Sequence, residues 1–336
     1  MLQSYIGPAP QSNPYIIQLH ESLDAASGVE PSAFSWRRAL LGGYDVFHAH
    51  WPEALIERRG AVSTVGRQAL YGLFLLKLLL LRIPVVRTMH NLDTPAGIGR
   101  SERLLLAATD RLTRMRILLN EFTPVRDGQR TALIEHGHYR DWFAKHPTAP
   151  PVDGRVVFFG KVRRYKNVEG LVRAFREIPL AAGLSLHVVG SPSSAALSDS
   201  LHAAAGEDAR ITMSLRFVDE DELVREVGES RLVALPYPEM HNSGSVLAAL
   251  SLDRAVLVPD NPFNRALEEE VGRGWVMRFE GELEPGTVER AVRDAATIEG
   301  RPDLSRRDWT RAGERHLAAY RRAILRDEEV ARGPVR

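Results

Sequence analysis

Chemistry is most concentrated in residues 235–250, LPYPEMHNSGSVLAAL. The stretch reads as the end of a buried strand that leaves through two stiff prolines into a polar turn and then a helix. Asn242, Ser243 and Gly244 supply turn and cap chemistry, and Ser245 opens the apolar helical run. Free backbone N–H groups and the positive helix end then point at one spot, an arrangement that suits a phosphate. Glu239 stands just before that spot, placed to accept hydrogen bonds from sugar hydroxyls. One loop therefore offers the parts of a nucleotide-sugar site. An ordinary strand-loop-helix joint would have the same pattern, so the rest of the chain decides.

A second group lies in the first half, where three apolar runs finish in polar residues. YDVFHA runs into His50, Trp51 and Glu53, IPVVRTM ends at His90 and Asn91, and RILLN ends at Glu121. Ligands of open parallel sheets sit beyond the carboxyl ends of the strands. His50, Glu53, His90, Asn91 and Glu121 are thus expected to border one crevice. His48 and His50 flank Ala49 and are expected to face opposite sides, with His48 structural and no metal pair between them. Asp219, Glu220 and Asp221 mimic a metal-binding carboxylate motif, but they stand where a helix begins, and acids in a first turn favour the helix dipole. They are expected to cap that helix. No metal and no other cofactor is expected.

The elements that must position these groups alternate between strand and helix along the whole chain. The pattern predicts an α/β protein of two doubly wound, Rossmann-like domains facing each other over a cleft. An acceptor-side domain is expected over 1–140 and a donor domain over 155–305. The proline- and glycine-rich 141–154 is expected to link them, and an amphipathic helix over 307–325 to pack back on the first domain. Residues 29–34 are expected to add a strand.

With 336 residues the chain has room for two cores. Lys plus Arg number 44 against 43 Asp plus Glu, which leaves no electrostatic footprint for nucleic acid. Residues 57–116 nevertheless hold 11 basic and 4 acidic side chains, while 264–303 hold 6 and 10. There is no cysteine, in keeping with a reducing, cytoplasmic location and excluding thiolate chemistry. The apolar run 69–81 is too short to cross a bilayer and is expected to be core. The arginines around it leave open peripheral contact with an anionic membrane at the inner face of the cell membrane.

Four signals in one order, GKVRRYKN after a strand, VVG ending at Gly190, a strand-turn before DEDEL, and LPYPEMHNSGSVLAAL, resemble the donor domain of the GT-B nucleotide-sugar glycosyltransferases. In that family two basic residues of the first loop hold the donor diphosphate. Gly160 and Lys161 take the Gly-Arg place here and Lys166 the lysine place, with Asn167 where the family has glycine. The resemblance also puts the nucleotide base near Phe217 and Val218. The ribose-binding glutamate of the retaining members would fall at Ala248, so ribose recognition must differ. HAHWPE and TMHN, with FFGKVRRYKN, resemble the inverting GDP-mannose:glycolipid 4-β-mannosyltransferases of exopolysaccharide assembly.

That resemblance implies transfer of mannose from GDP-mannose, with inversion, to a lipid-linked or other saccharide. Glu53, after Trp51 and Pro52, is expected to be the base, its pKa raised by a partly apolar setting. His90 needs no shift to act near neutrality. The histidine at its place in the retaining relatives touches the donor sugar, so His90 is expected to do the same. A nucleotide-sugar binding protein without catalysis, or a retaining enzyme using a UDP-sugar, would keep much of this pattern.

Overall fold

The computed structural model describes residues 1–5, 13–56, 64–91 and 98–325. They belong to two compact units, one of Met1–Gly137 with Asp308–Arg336 and one of His138–Arg307. The chain thus passes between units at Gly137 and again at Arg307. Residues 141–154, expected to be a linker, belong to the second unit. Three of them, 141–143, are helical, and the irregular backbone that follows is tied down by hydrogen bonds: Val152 N–H donates to Glu229 O at 2.8 Å, and Arg231 pairs with Asp153.

The first unit holds β1 (Leu2–Gln3), α1 (Pro14–Ala25), α2 (Trp36–Leu41), β2 (Phe47–Ala49), α3 (Glu53–Ile56), α4 (Thr64–Leu80), β3 (Val85–Met89), α5 (Arg100–Leu112), β4 (Thr113–Leu118) and β5 (Thr131–Leu133). All five strands are parallel and lie in chain order, β1 to β5. The strand expected over 29–34 reduces to one bridge, Leu2 with Ser32, on the outer side of β1. Three backbone hydrogen bonds hold it there, Ser32 N–H to Met1 O, Gln3 N–H to Ser32 O and Phe34 N–H to Tyr5 O.

One face of this sheet packs Phe47, Ala49 and Val85 against Tyr71, Phe74 and Leu78 of α4. Helix α4 is not all core, as its sequence suggested. Tyr71, Phe74, Leu75 and Leu78 are buried, whereas Leu73, Leu76, Leu79 and Leu80 are exposed, as is Leu81 just past its end. No helix of the described residues is long and apolar enough to cross a membrane. On the other face α13 (Ala312–Ile324) packs on α1 and against β3 and β4. A Cβ at Gly313 would lie 1.9 Å from Ser22 O, so only glycine allows that helix pair its approach.

The second unit contains α6 (Arg140–Phe143), β6 (Arg155–Phe159), α7 (Val168–Arg176), β7 (Ser185–Val189), α8 (Ala195–Ala205), β8 (Ile211–Ser214), α9 (Glu220–Gly228), β9 (Leu232–Ala234), α10 (Gly244–Ser251), β10 (Ala255–Pro259), α11 (Pro262–Val271), β11 (Val276–Phe279) and α12 (Pro285–Ala296). Its sheet runs β11-β10-β9-β6-β7-β8, parallel throughout. The fully buried valines and leucines of β6, β9 and β10 account for that, since a sheet covered on both faces has no polar side to show. Winding starts at β6, goes outward to β8 and returns to β9. The order of strands therefore reverses between β6 and β9, and a crevice opens where the loops after those two strands part.

Candidate active site

The two loops at that reversal are the ones that carry the cations and the cap. After β6, Gly160 adopts φ +104° and Gly190, after β7, φ +143°; a Cβ on Gly190 would lie 2.0 Å from Gly160 O. The loops are stitched by Val162 N–H to Ser191 O at 2.9 Å and Ser193 N–H to Val162 O at 3.0 Å. A 3-10 turn over Arg164–Lys166 then ends at Asn167, whose φ of 50° and ψ of 37° are left-handed. This explains the departure from the family glycine: asparagine is the non-glycine residue best suited to that region.

Lys166 is turned inward and buried, with Nζ 4.7 Å from the centre of the Tyr237 ring and 5.9 Å from that of Phe158. Burial above all, then repulsion from Arg163 and Lys161, lowers its pKa to about 8. None of these three cations has a carboxylate partner among the described residues. A Cβ on Gly160 would lie 3.6 Å from both Lys166 Nζ and Ser245 Oγ, so the ammonium and the hydroxyl converge on one side of that glycine. Ser243 caps α10, its side chain accepting from Val246 N–H. The amides of Gly244 and Ser245 are left in the first turn, where a helix has no partners of its own.

Tyr237, which the sequence reading passed over, completes the group. Its hydroxyl is buried near the Ser245 side chain but forms no well-shaped hydrogen bond among the described residues; burial raises its pKa, and the approach of Ser245 opposes that in smaller part. The available signal was a tyrosine held between Pro236 and Pro238 at a strand exit. Glu239 is exposed on the same loop, and Asn242 is half-buried. Phe217 is exposed after β8, with Val218 half-buried beside it. Ala248, where the resemblance would put the ribose-binding glutamate of the retaining members, is buried in α10.

In the first unit the strand ends hold a histidine cluster. His50 Nδ1 lies 3.2 Å from His90 Nε2, and His50 Nε2 lies 2.9 Å from Gln3 Oε1. With Gln3 Oε1 as acceptor, His50 carries its proton on Nε2 and accepts from His90, which leaves Nδ1 as the unprotonated nitrogen of His90. The Trp51 ring stacks on His90 at 4.2 Å, and Tyr15 meets His90 edge-on at 5.2 Å. His48 and His50 do not face opposite sides as expected: their rings are 4.2 Å apart, because residues two apart on a strand share a face. His48 is bound by Tyr320 and Thr88 at 2.8 Å each, a structural role.

Burial lowers the pKa of His50 to about 3, and holds that of His90 well below the usual histidine range. His90 is therefore neutral near neutrality and a weak base, a correction to the view that it needs no shift. Glu53 opens α3 two residues beyond Trp51 and is half-buried, with its charge felt at Tyr71. Asn91 is exposed next to His90. Glu121 is exposed on the turn after β4 and shares no hydrogen bond or ion pair with the histidines.

The acidic triplet of α9 is engaged by protein groups. Asp219 caps the helix by accepting from Glu222 N–H at 2.9 Å. Glu220 accepts from Trp142 and pairs with Lys145 at 3.0 Å, and Asp221 pairs with His146.

No family model matches the chain. Among solved structures, Anabaena HepE in complex with UDP and glucose aligns with a TM-score of 0.57 at 16% identity, covering 99% of this chain and 98% of that one. A glycosyltransferase involved in avilamycin A biosynthesis gives 0.57 at 13% over 96% and 97%. Sucrose-phosphate synthase from Thermosynechococcus elongatus gives 0.55 at 15% over 98% of each. The fold is that of the GT-B glycosyltransferases. A GDP-mannose:glycolipid 4-beta-D-mannosyltransferase of Xanthomonas campestris pv. campestris is 44% identical over 326 residues, 96% of this chain and 92% of that protein. The chain belongs to this family of mannosyltransferases and is an enzyme of glycosyl transfer.

Proposed function

We propose that this enzyme transfers mannose from GDP-mannose to a lipid-linked saccharide, with inversion, forming a β linkage. Donor and acceptor are those in the name of the Xanthomonas relative. The observation that carries the reading is the group of three cations without carboxylate partners among the described residues, Lys161, Arg163 and Lys166, at the strand-order reversal beside the amino end of α10. A diphosphate supplies the missing negative charge. Tyr237 and Ser245 donate to its oxygens, and the amides of Gly244 and Ser245 complete the cradle. Phe217 and Val218 hold the base, with Gly160 and Gly190 giving the backbone room to approach. Glu239 and Asn242 bind sugar hydroxyls.

The first unit supplies the acceptor side. Glu53 takes the proton of the attacking hydroxyl, and neutral His90 hydrogen-bonds sugar, oriented by His50 and by the Trp51 stack. Asn91 and Glu121 extend the acceptor surface. The diphosphate leaves with its charge met by side chains and a helix end, so we expect turnover to persist in excess chelator; loss of activity restored by magnesium would revive a metal. With a glycolipid as acceptor, we propose peripheral contact at the inner face of the cell membrane, which the exposed leucines of α4 among local basic charge would suit.

Calorimetry with GDP-mannose, UDP-glucose and ADP-glucose tests the donor: GDP-mannose should bind most tightly, and preference for a UDP-sugar would overturn the assignment. Glu53→Gln should lower turnover by about 10² to 10⁴-fold and leave GDP affinity unchanged.

A further inference from the structure

Four arginines of the first unit converge far from the histidine cluster. Arg82 follows α4, Arg114 and Arg116 are two apart on β4, and Arg130 immediately precedes β5. With Thr113, Gly128, Gln129 and Leu325 they line a cavity of about 620 Å³. This cavity lies at the amino-terminal end of the sheet. The histidines stand at the carboxyl end, a strand's length away, roughly 15 to 20 Å at the usual rise per residue.

Part of this charge is uncompensated among the described residues, while Arg130 donates to Leu325 O at 3.1 Å. No carboxylate is among the described residues lining the cavity. Asp110 binds Arg116 at 2.7 Å but shares itself with Arg87 at 3.3 Å. Arg82 and Arg114 have no carboxylate partner among the described residues. Like charges gathered from three segments repel, and the guanidinium fork matches a phosphate in geometry as well as charge.

We propose that this cavity is a second anion site, taking a phosphate group of a ligand other than the sugar donor. Two sources present that chemistry: a soluble phosphate or diphosphate, and the headgroup of an anionic lipid. The exposed Leu79, Leu80 and Leu81 just before Arg82 would let a headgroup enter with its chains outside. The inference is independent of the donor assignment, because none of these residues belongs to the second unit.

The test uses Arg82→Gln with Arg114→Gln, chosen because neither side chain holds a carboxylate among the described residues whose loss of partner would unsettle the fold. Inorganic pyrophosphate is titrated by calorimetry into wild type and the double variant, with GDP saturating the donor site. In parallel, flotation is measured with phosphatidylcholine vesicles with and without phosphatidic acid. A soluble-ligand site predicts pyrophosphate binding weakened about 10-fold or more in the variant. A headgroup site predicts variant-sensitive binding to the phosphatidic acid vesicles without pyrophosphate binding. If neither titration nor flotation differs between the two proteins, while GDP affinity is normal in both, the proposal is wrong. Should GDP fail to bind wild type, the donor assignment fails, and the difference between the two proteins still decides this site.

Discussion

Lys166 Nζ stands 4.7 Å from the centre of the Tyr237 ring, a cation over an aromatic face inside the donor loop. The contact gives back part of the hydration that the lysine loses on burial. It does not give back all of it, since the pKa still falls from 10.5 to about 8. The free enzyme thus keeps a strained ammonium where a diphosphate would restore its charge balance.

Diphosphate binding should therefore be coupled to protons. Lys166 has a pKa of about 8 in the free protein and a higher one against an anion, so GDP affinity should fall as pH rises through about 8 and flatten once the bound form also titrates. Stability of the free protein should move the other way. Between pH 8 and 10.5 the unfolded chain binds more protons at this lysine than the folded one, so the term favours folding progressively as pH rises across that window. Calorimetry across pH, with Lys166→Ala as comparison, checks both slopes. The variant should bind GDP roughly 10- to 150-fold more weakly and lose the pH dependence.

Tyr237→Phe separates a ligand contact from a structural one. Apart from the approach of Ser245, the hydroxyl makes no well-shaped hydrogen bond among the described residues, so its removal should change the thermal midpoint little. GDP affinity should nevertheless drop by about 10-fold, as expected on losing a hydrogen bond to a charged group. A destabilised variant with normal GDP affinity would assign the tyrosine to the fold instead.

Acid should attack the first unit through its histidines. Burial lowers His50 to about 3 and His316 to about 4, with His48 and His90 lowered as well. The unfolded chain takes up protons near 6.5 while the folded one resists, so stability is full above that value and is lost as pH falls towards 3. Denaturant melts between pH 7 and 4 should show it, and His48→Gln should flatten the slope.

Much of this was legible before the fold was known. The β6–Lys166 loop and the capped turn into α10 follow from local chemistry, in which glycines, a Ser cap and apolar runs each dictate one backbone state. Tyr237 was not legible, because the burial of a hydroxyl is a property of packing. The exposed leucines of α4 were hidden for a similar reason: a run apolar on every side does not say which side finds a partner. His48 and His50 were misassigned although strand period settles their common face. The 141–154 segment looked like a linker because backbone hydrogen bonds such as Val152 to Glu229 leave no periodic trace in sequence.

The central claim is an inverting mannosyl transfer carried out with the donor diphosphate on Lys161, Lys166 and the α10 end. The most direct measurement is the anomeric configuration of the product, read by NMR after incubation with GDP-mannose and a lipid-linked saccharide acceptor. A β-linked mannose, formed with release of one GDP per linkage and slowed in Glu53→Gln, is the predicted result. An α-linked product would contradict it.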